Sequence, residues 1–559
     1  MAGNVLNEAQ EQVVNHFDGP ALTLAGPGSG KTTVLTERTV RLALKIQNPE
    51  RILCVTFTNA AGEEMKKRYM SVGKEKLPDA FLEENKMPIF KTVHSFCNRI
   101  IGDYEKVSNR KYTRIEGNDG IKIGILRELY RNINGEDADI YILNQIGSLP
   151  PFQTQEPEIK NIKKIREAYV KYKEQNMLID FDDMILIAAD ILNSDYFEKK
   201  RVRETIQEIF KYIQIDEAQD LTETQFNILK TVGISKNIFV VADDDQSIYG
   251  FRGAAPECLM SFYKNYSDCK LYRLSRNYRS TQKIVNISAK FISKNTERFE
   301  KNLYSEREKG SDILVKSCKN SIVQAEYIKD EICRILEKDT TMSVGVLYRN
   351  HISALLPGAV LIKSGMEFAV NEGAMENINM YFTELVLKEI RHRQRNKIFV
   401  PTPSKILRDL LSEGLEKQIV SYCRETRQHM NYKDHIISFL IYLCENCSTA
   451  RDITSILDGF DNKKKELNDC RIFFSTVHSA KGLEYDTVFI IDAIMGEFPG
   501  KTASWGKLLE EERRLFYVAL TRARKNIYVT YPVMRGNLYE KKGYEKESIF
   551  IRELLDEKA

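Results

Sequence analysis

The sequence is poor in the features that mark a protein for a membrane or an oxidising compartment. No apolar run approaches the roughly 20 residues that a bilayer-spanning helix needs; Ile436 to Leu443, apolar apart from Ser438, falls far short. The opening MAGNVLNEAQ has no basic segment followed by an apolar one, so no leader is expected and the expected location is cytoplasmic, without membrane association. The 10 cysteines are scattered along 559 residues, too sparse for a disulfide framework and in keeping with reduced thiols. One group, Cys423, Cys444, Cys447 and Cys470, holds a single C-x-x-C without the second pair of a common zinc site, so free thiols on helices are expected there. Neither sign of charge dominates: a net +4 permits nucleic acid as a partner but does not argue for it, and any binding groove must be local.

What is present describes a folded protein of several cores. Hydrophobic residues make up 42% and charged residues 29%, and the length suggests roughly three or four units. From Leu24 the chain reads LAGPGSGKTT: an apolar strand run, Ala21 to Ala25, breaks into glycines and closes on Lys31 and Thr32 in the pattern A-x-x-x-x-G-K-T of a phosphate loop. Backbone N–H groups converge on a polyphosphate only where side chains do not intrude, and Gly26, Gly28 and Gly30 keep that path open. Lys31 would set its ammonium against the β- and γ-phosphates, and the Thr32 hydroxyl would hold Mg²⁺. A glycine-rich turn that binds nothing is the plain alternative, and the complete pattern between an apolar strand and a helical run weighs against it.

Along the chain, a short helical segment, Leu6 to Val14, precedes the loop; a helix, Thr32 to Leu44, a strand, Ile52 to Thr58, and a charged helix follow. This βαβα rhythm predicts a parallel sheet with function at the carboxyl ends of its strands. From Cys97 to about Glu204 the strand signals fade into a charged helical insertion, and the sheet resumes at Tyr212 to Ile215, which ends in Asp216 and Glu217. An apolar strand closing on Asp-Glu is the second half of a phosphate-loop engine, the first carboxylate for Mg²⁺ and the second for the attacking water. The strand Asn237 to Ala242 runs into DDDQSIYGFRGA, where Gln246 is placed as a γ-phosphate sensor. Tyr249 and Phe251 stand two apart in that polar loop, as core aromatics or as a platform for stacking bases. A second sheet is expected from Lys270 to Leu274, Ile313 to Lys316, Val344 to Tyr348 and Ala359 to Ile362, with the arginines Arg279 and Arg522 beside it and a helical insertion, charge-balanced, between Arg391 and Cys470.

With these stretches assembled, the chain resembles a superfamily 1 DNA helicase of the UvrD/Rep/PcrA type over nearly its whole length. The resemblance rests on LNEAQ, GPGSGKT, VTFTNAAGEEM, TVHSFCNRI, IDFDDM, IDEAQD, ADDDQSIYGFRGA, LSRNYRST, STVHSAKGLEYDTVF and EEERRLFYVALTRA occurring in that order. It implies an α/β fold of two RecA-like parallel-sheet lobes, each with a mainly helical insertion: lobe 1A from residues 1–96 and 205–269, insertion 1B from 97–204, lobe 2A from 270–390 and 471–559, and insertion 2B from 391–470. It implies ATP and Mg²⁺, held by Gln10, Gly26, Gly28, Ser29, Gly30, Lys31, Thr32, Thr33, Tyr278 and Glu484, with Thr32 and Asp216 on the metal. Gln10 and Tyr278 would hold the adenine and Glu484 would read the ribose or the metal-phosphate edge, with Glu217 as general base and Gln246, Arg279 and Arg522 acting on the γ-phosphate. Phe57, Tyr249 and Phe251 would stack successive bases, while Thr58, Asn59, Thr92, His94, Arg252, Thr476 and His478 would touch DNA.

The implied activity is ATP-driven 3′ to 5′ translocation on single-stranded DNA or a 3′-tailed duplex. Phe251 stands where many relatives place Trp, Ala60 replaces a common Lys, and the second insertion is much shorter than in the full-length family. The short insertion also opens a second expectation, an ATPase that reports DNA ends to a partner nuclease, since the chain is similar to the compact UvrD-like protein of Gabija-type phage-defence complexes. In that reading Ile436 to Leu443 would face the partner, with core packing as the more usual use of such a run. The oligomeric state is left open.

Overall fold

A computed structural model describes residues 6–115, 119–149, 159–370, 380–395, 401–425, 431–462, 470–501, 503, 505–539 and 544–555. Contacts divide the chain into two units, Met1–Ser275 with Phe299–Lys301, and Arg276–Arg298 with Asn302–Ala559.

The first unit is built on six strands, Ala21–Ala25 (β1), Ile52–Thr56 (β2), Ile89–Thr92 (β3), Tyr212–Ile215 (β4), Ile238–Ala242 (β5) and Lys270–Leu274 (β6), in the order β3-β2-β4-β5-β1-β6. Every pairing is parallel. The residues of β1, β2 and β5 are buried throughout, which is why these strands read as unbroken apolar runs instead of alternating ones. One sheet face packs Val34, Leu35, Val40 and Leu42 of the helix Lys31–Ile46 with Met65 and Tyr69 of the helix Asn59–Lys76. The other face packs the helices Val93–Ser108, Phe181–Asn193 and Phe197–Ile209. A separate small core, from Ile115 to Tyr169, holds the helices between them together.

The second unit carries Leu314–Cys318 (β7), Val344–Tyr348 (β8), Ala369–Val370 (β9), Ile472–Thr476 (β10), Tyr485–Ile490 (β11) and Ala523–Pro532 (β12), again all parallel, in the order β7-β12-β11-β8-β10-β9. Its main core is continuous with the helices Pro403–Ser412, Asn431–Asn446 and Ala450–Asn462: Val344, Phe474 and Phe489 of the sheet share one cluster with Ile406, Ile436 and Phe460.

Two expected strands are corrected. Lys270–Leu274 does not open the second sheet; it pairs residue for residue with Ala21–Ala25 and forms an edge of the first, where all of its residues but Leu274 keep some exposure. Ala359 to Ile362 lies within a helix, Leu355–Lys363, whose residues from Leu355 to Leu361 are all buried. A short run that is apolar on every side carries no period to tell strand from helix. The Ile436 to Leu443 run is likewise buried at every position in the second core, so it is not surface. Cys423, Cys444 and Cys447 are free thiols in that same core, and burial pushes the Cys444 thiol up to about 12.

Candidate nucleotide site

Because the first sheet is wholly parallel, the segments that follow β1, β2, β3, β4 and β5 leave it on one side. β4, β5 and β1 are neighbours, so the phosphate-loop residues, Asp216 and Glu217, and the Asp243 to Gln246 turn are brought together there.

The loop fits a polyphosphate. Gly30 lies at φ +84° directly before the helix Lys31–Ile46, and a Cβ there would stand 2.9 Å from Gln10 Nε2, so both backbone and space require glycine. No side chain caps that helix, which leaves its first N–H groups without an intrahelical acceptor and aimed outward. The buried Ser29 hydroxyl has no hydrogen-bond partner among the described residues. Gln10 braces the loop from the preceding helix, Glu8–Val14: its Nε2 donates to the Ser29 carbonyl at 3.1 Å and its Oε1 accepts the Asn7 N–H at 3.0 Å in a capping box. Thr32 follows Lys31 in the first turn, and Asp216, nearly buried at the end of β4, accepts the Glu217 N–H at 3.0 Å. A hydroxyl and a carboxylate of this kind suit Mg²⁺.

Lys31 Nζ lies 3.2 Å from Glu217 Oε1 and 3.3 Å from Oε2. Burial works against its charge, but Glu217, Asp243 and Asp216 outweigh burial and hold the ammonium above its ordinary value. Gln219 Nε2 donates to Glu217 Oε2 at 2.5 Å, and Gln219 Oε1 accepts the Asp243 N–H at 3.0 Å. Gln246 Nε2 donates to Asp243 Oδ2 at 2.5 Å. Glu217, Gln246 and Lys31 thus belong to one hydrogen-bonded chain. Gln219 lies within IDEAQD, but nothing in its local sequence announces that it links Glu217 to the end of β5.

Beside these polar groups lie the rings. Phe57, directly after β2, stacks on Tyr249 with centroids 5.0 Å apart and planes 23° from parallel. Phe251, more than half exposed, stands 6.1 Å from Tyr249, and the Arg252 guanidinium lies 5.6 Å and 5.5 Å from the two rings. Burial first, then Asp220, pushes the Tyr249 hydroxyl up to about 12, with Glu217 adding to the rise. His94 packs edge-on against Phe181 at 5.1 Å; burial, then Arg252, lowers its affinity for a proton. Thr58 and Thr92 each cap a helix, accepting the N–H of Ala61 and of Ser95 at 3.2 Å, and Asn59 is the exposed first residue of the helix that Thr58 caps.

In the second unit, Arg279 Nε donates to Glu484 at 2.5 Å and its Nη1 to the Thr521 carbonyl at 3.1 Å, while Arg524 holds the other Glu484 oxygen. Burial raises the Glu484 carboxyl and the two arginines more than offset this, so it stays below its ordinary value. Arg522 is buried, its guanidinium donating to the carbonyls of Val518 at 3.0 Å and Leu483 at 3.3 Å and to Thr521 Oγ1 at 3.1 Å. Tyr278 is exposed, with the Arg276 guanidinium 4.7 Å from its ring centre. Thr476, at the end of β10, accepts the Ser479 N–H at 3.2 Å, and half-buried His478 follows it. Nothing in the sequence around Arg524 announces its pairing with Glu484, which the fold alone supplies.

The model of the UvrD/REP helicase N-terminal domain matches residues 6–267, and that of the UvrD-like helicase C-terminal domain matches residues 272–392 and 417–533. The chain is similar to an ATP-dependent DNA helicase PcrA of Bacillus subtilis, 28% identical over 99% of this chain and 86% of that protein. It is also similar to a probable DNA helicase II homolog of Rickettsia felis, 27% identical over 99% of this chain and 96% of that protein. A PcrA helicase of Staphylococcus epidermidis is 27% identical, covering 98% and 86% respectively. Two parallel-sheet RecA-like lobes, a phosphate loop paired with an Asp-Glu strand end, and matches that run almost from end to end converge: the chain belongs to superfamily 1, to the UvrD/PcrA-like helicases.

Proposed function

We propose that the protein is an ATP-dependent DNA helicase that translocates 3′ to 5′ on single-stranded DNA. One observation carries the reading. The segment Asp243 to Arg252 runs within a few residues from the Gln246–Asp243 hydrogen bond to the Tyr249–Phe57 stack, so a single loop borders both the phosphate end and the aromatic surface. A change in what Gln246 bonds is then felt by the rings.

Lys31, the loop N–H groups and Ser29 bind the phosphates, and Glu217 accepts the proton of the attacking water. Thr32 and Asp216 would hold Mg²⁺, which when bound would supply charge neutralisation on the phosphate oxygens. Triphosphate binding makes Lys31 exchange a carboxylate partner for phosphate oxygen, which frees Glu217 for its task. Arg279 and Arg522 are read as the arginines on which turnover depends, and Thr58, Asn59, Thr92, His94, Arg252, Thr476 and His478 as contacts to the strand. The direction of travel is supported by family resemblance. Base stacking at about 1–3 kcal/mol per base tolerates any sequence, as a motor on arbitrary DNA requires.

The test uses the purified chain, with ATP turnover measured with and without single-stranded DNA and strand separation on duplexes tailed at either end. Turnover should rise with DNA, and only the 3′-tailed duplex should open. Lys31→Ala should abolish turnover in a folded protein. Phe57→Ala should cut stimulation by DNA more than basal hydrolysis; an equal loss of both returns that ring to packing. Turnover indifferent to DNA would refute the motor, and DNA-stimulated turnover without strand separation would favour a chain that needs a partner.

A further inference from the structure

We infer that Lys301 is a positioning residue for hydrolysis, its buried ammonium holding the Asp243 to Gln246 turn in the shape that sets Gln246 and Glu217; the inference rests on reading the site as an ATP hydrolase. Lys301 lies outside every motif that marked the site. Its side chain is almost wholly buried, and Nζ stands 2.5 Å from Asp243 Oδ1, 2.6 Å from Asp244 Oδ1 and 2.8 Å from Asp245 Oδ2.

Three successive buried carboxylates cannot share so small a space without a cation between them. Their oxygens come within 4.8 Å of one another, a grouping that could hold a metal ion among the described residues, and the ammonium takes that position instead. The lysine is brought there by a short return of the chain: Phe299–Lys301 belongs to the first unit while the residues on both sides belong to the second. Phe299 fixes the return twice, through its N–H to Asp244 Oδ2 at 2.7 Å and through its ring against the first core.

From Asp243 the effect reaches the reacting groups by two routes. Its Oδ1 faces Lys301 and its Oδ2 accepts from Gln246, so the ammonium fixes the rotamer that aims the glutamine amide. Its N–H holds Gln219, which holds Glu217, which faces Lys31. Without the ammonium, Asp243 to Asp245 would repel one another and the turn would open, moving Gln246 directly and Glu217 through Gln219. Lys301 acts on the three aspartates of the turn rather than on the backbone that would cradle the phosphates, so nucleotide affinity should be spared.

The experiment compares the full chain with Lys301→Met, which keeps the length of the side chain and removes its charge. The readouts are DNA-stimulated turnover, KM for ATP and the affinity for a fluorescent ADP, with folding checked by circular dichroism. The expected result is a kcat lower by about 10²-fold, the scale of an ångström-sized misplacement, with KM and ADP affinity within about twofold. The double variant K301M/Q246A should lose less than the product of the two single losses, because both changes break the Gln246 link and only K301M also breaks the one through Gln219. Asp243→Asn leaves two carboxylates for Lys301 and should repeat the selective loss of kcat; it carries the test if K301M does not fold. An unchanged kcat in K301M, strictly multiplicative losses in the double variant, or a parallel loss of ADP affinity overturns the inference while leaving the hydrolase reading intact. Absence of turnover in the unaltered chain overturns both.

Discussion

Glu217 sits at φ 50° and ψ 41°, in the left-handed region that costs a residue with a Cβ roughly 1–2 kcal/mol. Its N–H on Asp216 and its carboxylate between Lys31 and Gln219 hold it there. The strain and the bonds aim one carboxylate at the space beside the phosphate loop. Glu217→Gln keeps the shape and removes the base. ATP turnover should fall by about 10²- to 10⁴-fold, while nucleotide binding, measured by fluorescence titration, should hold or tighten because Lys31 loses its competing carboxylate; a joint loss of binding and turnover would assign Glu217 to binding instead. At this scale the grouping of these residues was legible because chemistry selects residue types regardless of packing: Lys31, Thr32, Asp216, Glu217 and Gln246 all lie in the first unit at neighbouring strand ends. Gln219 and Lys301 were not, since each acts through a partner chosen by the fold. Thr58 and Thr92 show the opposite ambiguity, as helix caps that the sequence alone cannot separate from strand contacts.

Among elements, strands buried on both faces and followed by a reactive turn were the most legible, and those with neither mark were misread. Ala359 to Ile362 has no period, and Lys270 to Leu274 is joined to its sheet by pairing with β1, far away in sequence. The helix Asn431–Asn446 shows how an element is secured by charge as well as by apolar packing. Glu497, fully buried, accepts Asn350 and Asn431 at 2.6 Å each and Arg535 at 3.0 Å, with His435 at 3.5 Å. Burial raises its carboxyl, but His435 and Arg535 more than offset this and hold it far below the ordinary 4.5. A depressed carboxyl stabilises the fold fully above that ordinary value and loses its contribution as pH falls below it. The melting temperature should therefore decline on acidification, and Glu497→Gln should flatten that decline while destabilising the protein at neutral pH by on the order of 3 kcal/mol. An acid decline as steep in the variant as in the parent would place the acid-sensitive group elsewhere.

For the molecule as a whole, the two sheets and their helical accompaniments were legible from rhythm and motif order, whereas the distribution of cores was not, because core membership depends on which faces meet. The helices from Pro403 to Asn462 share the core of the second sheet, while Ile115 to Tyr169 enclose one of their own. Hydrogen exchange should separate the cases: amides of Asn431–Asn446 should open together with Val344–Tyr348, whereas those of Ile162–Gln175 should open independently of the first sheet. Early exchange of Asn431–Asn446 on its own would contradict a shared core.

The brief return of Phe299–Lys301 also bears on how the protein is made. A chain emerging from the ribosome completes the first sheet at Leu274, yet Asp243, Asp244 and Asp245 must wait for their counter-charge until the helix Gln282–Ile292 of the second unit has been synthesised. Until then the turn bearing Gln246 lacks the Lys301 ammonium, so the first unit is born with that turn unfinished, and on our reading a nascent chain gains hydrolytic order only after it is committed to building the second.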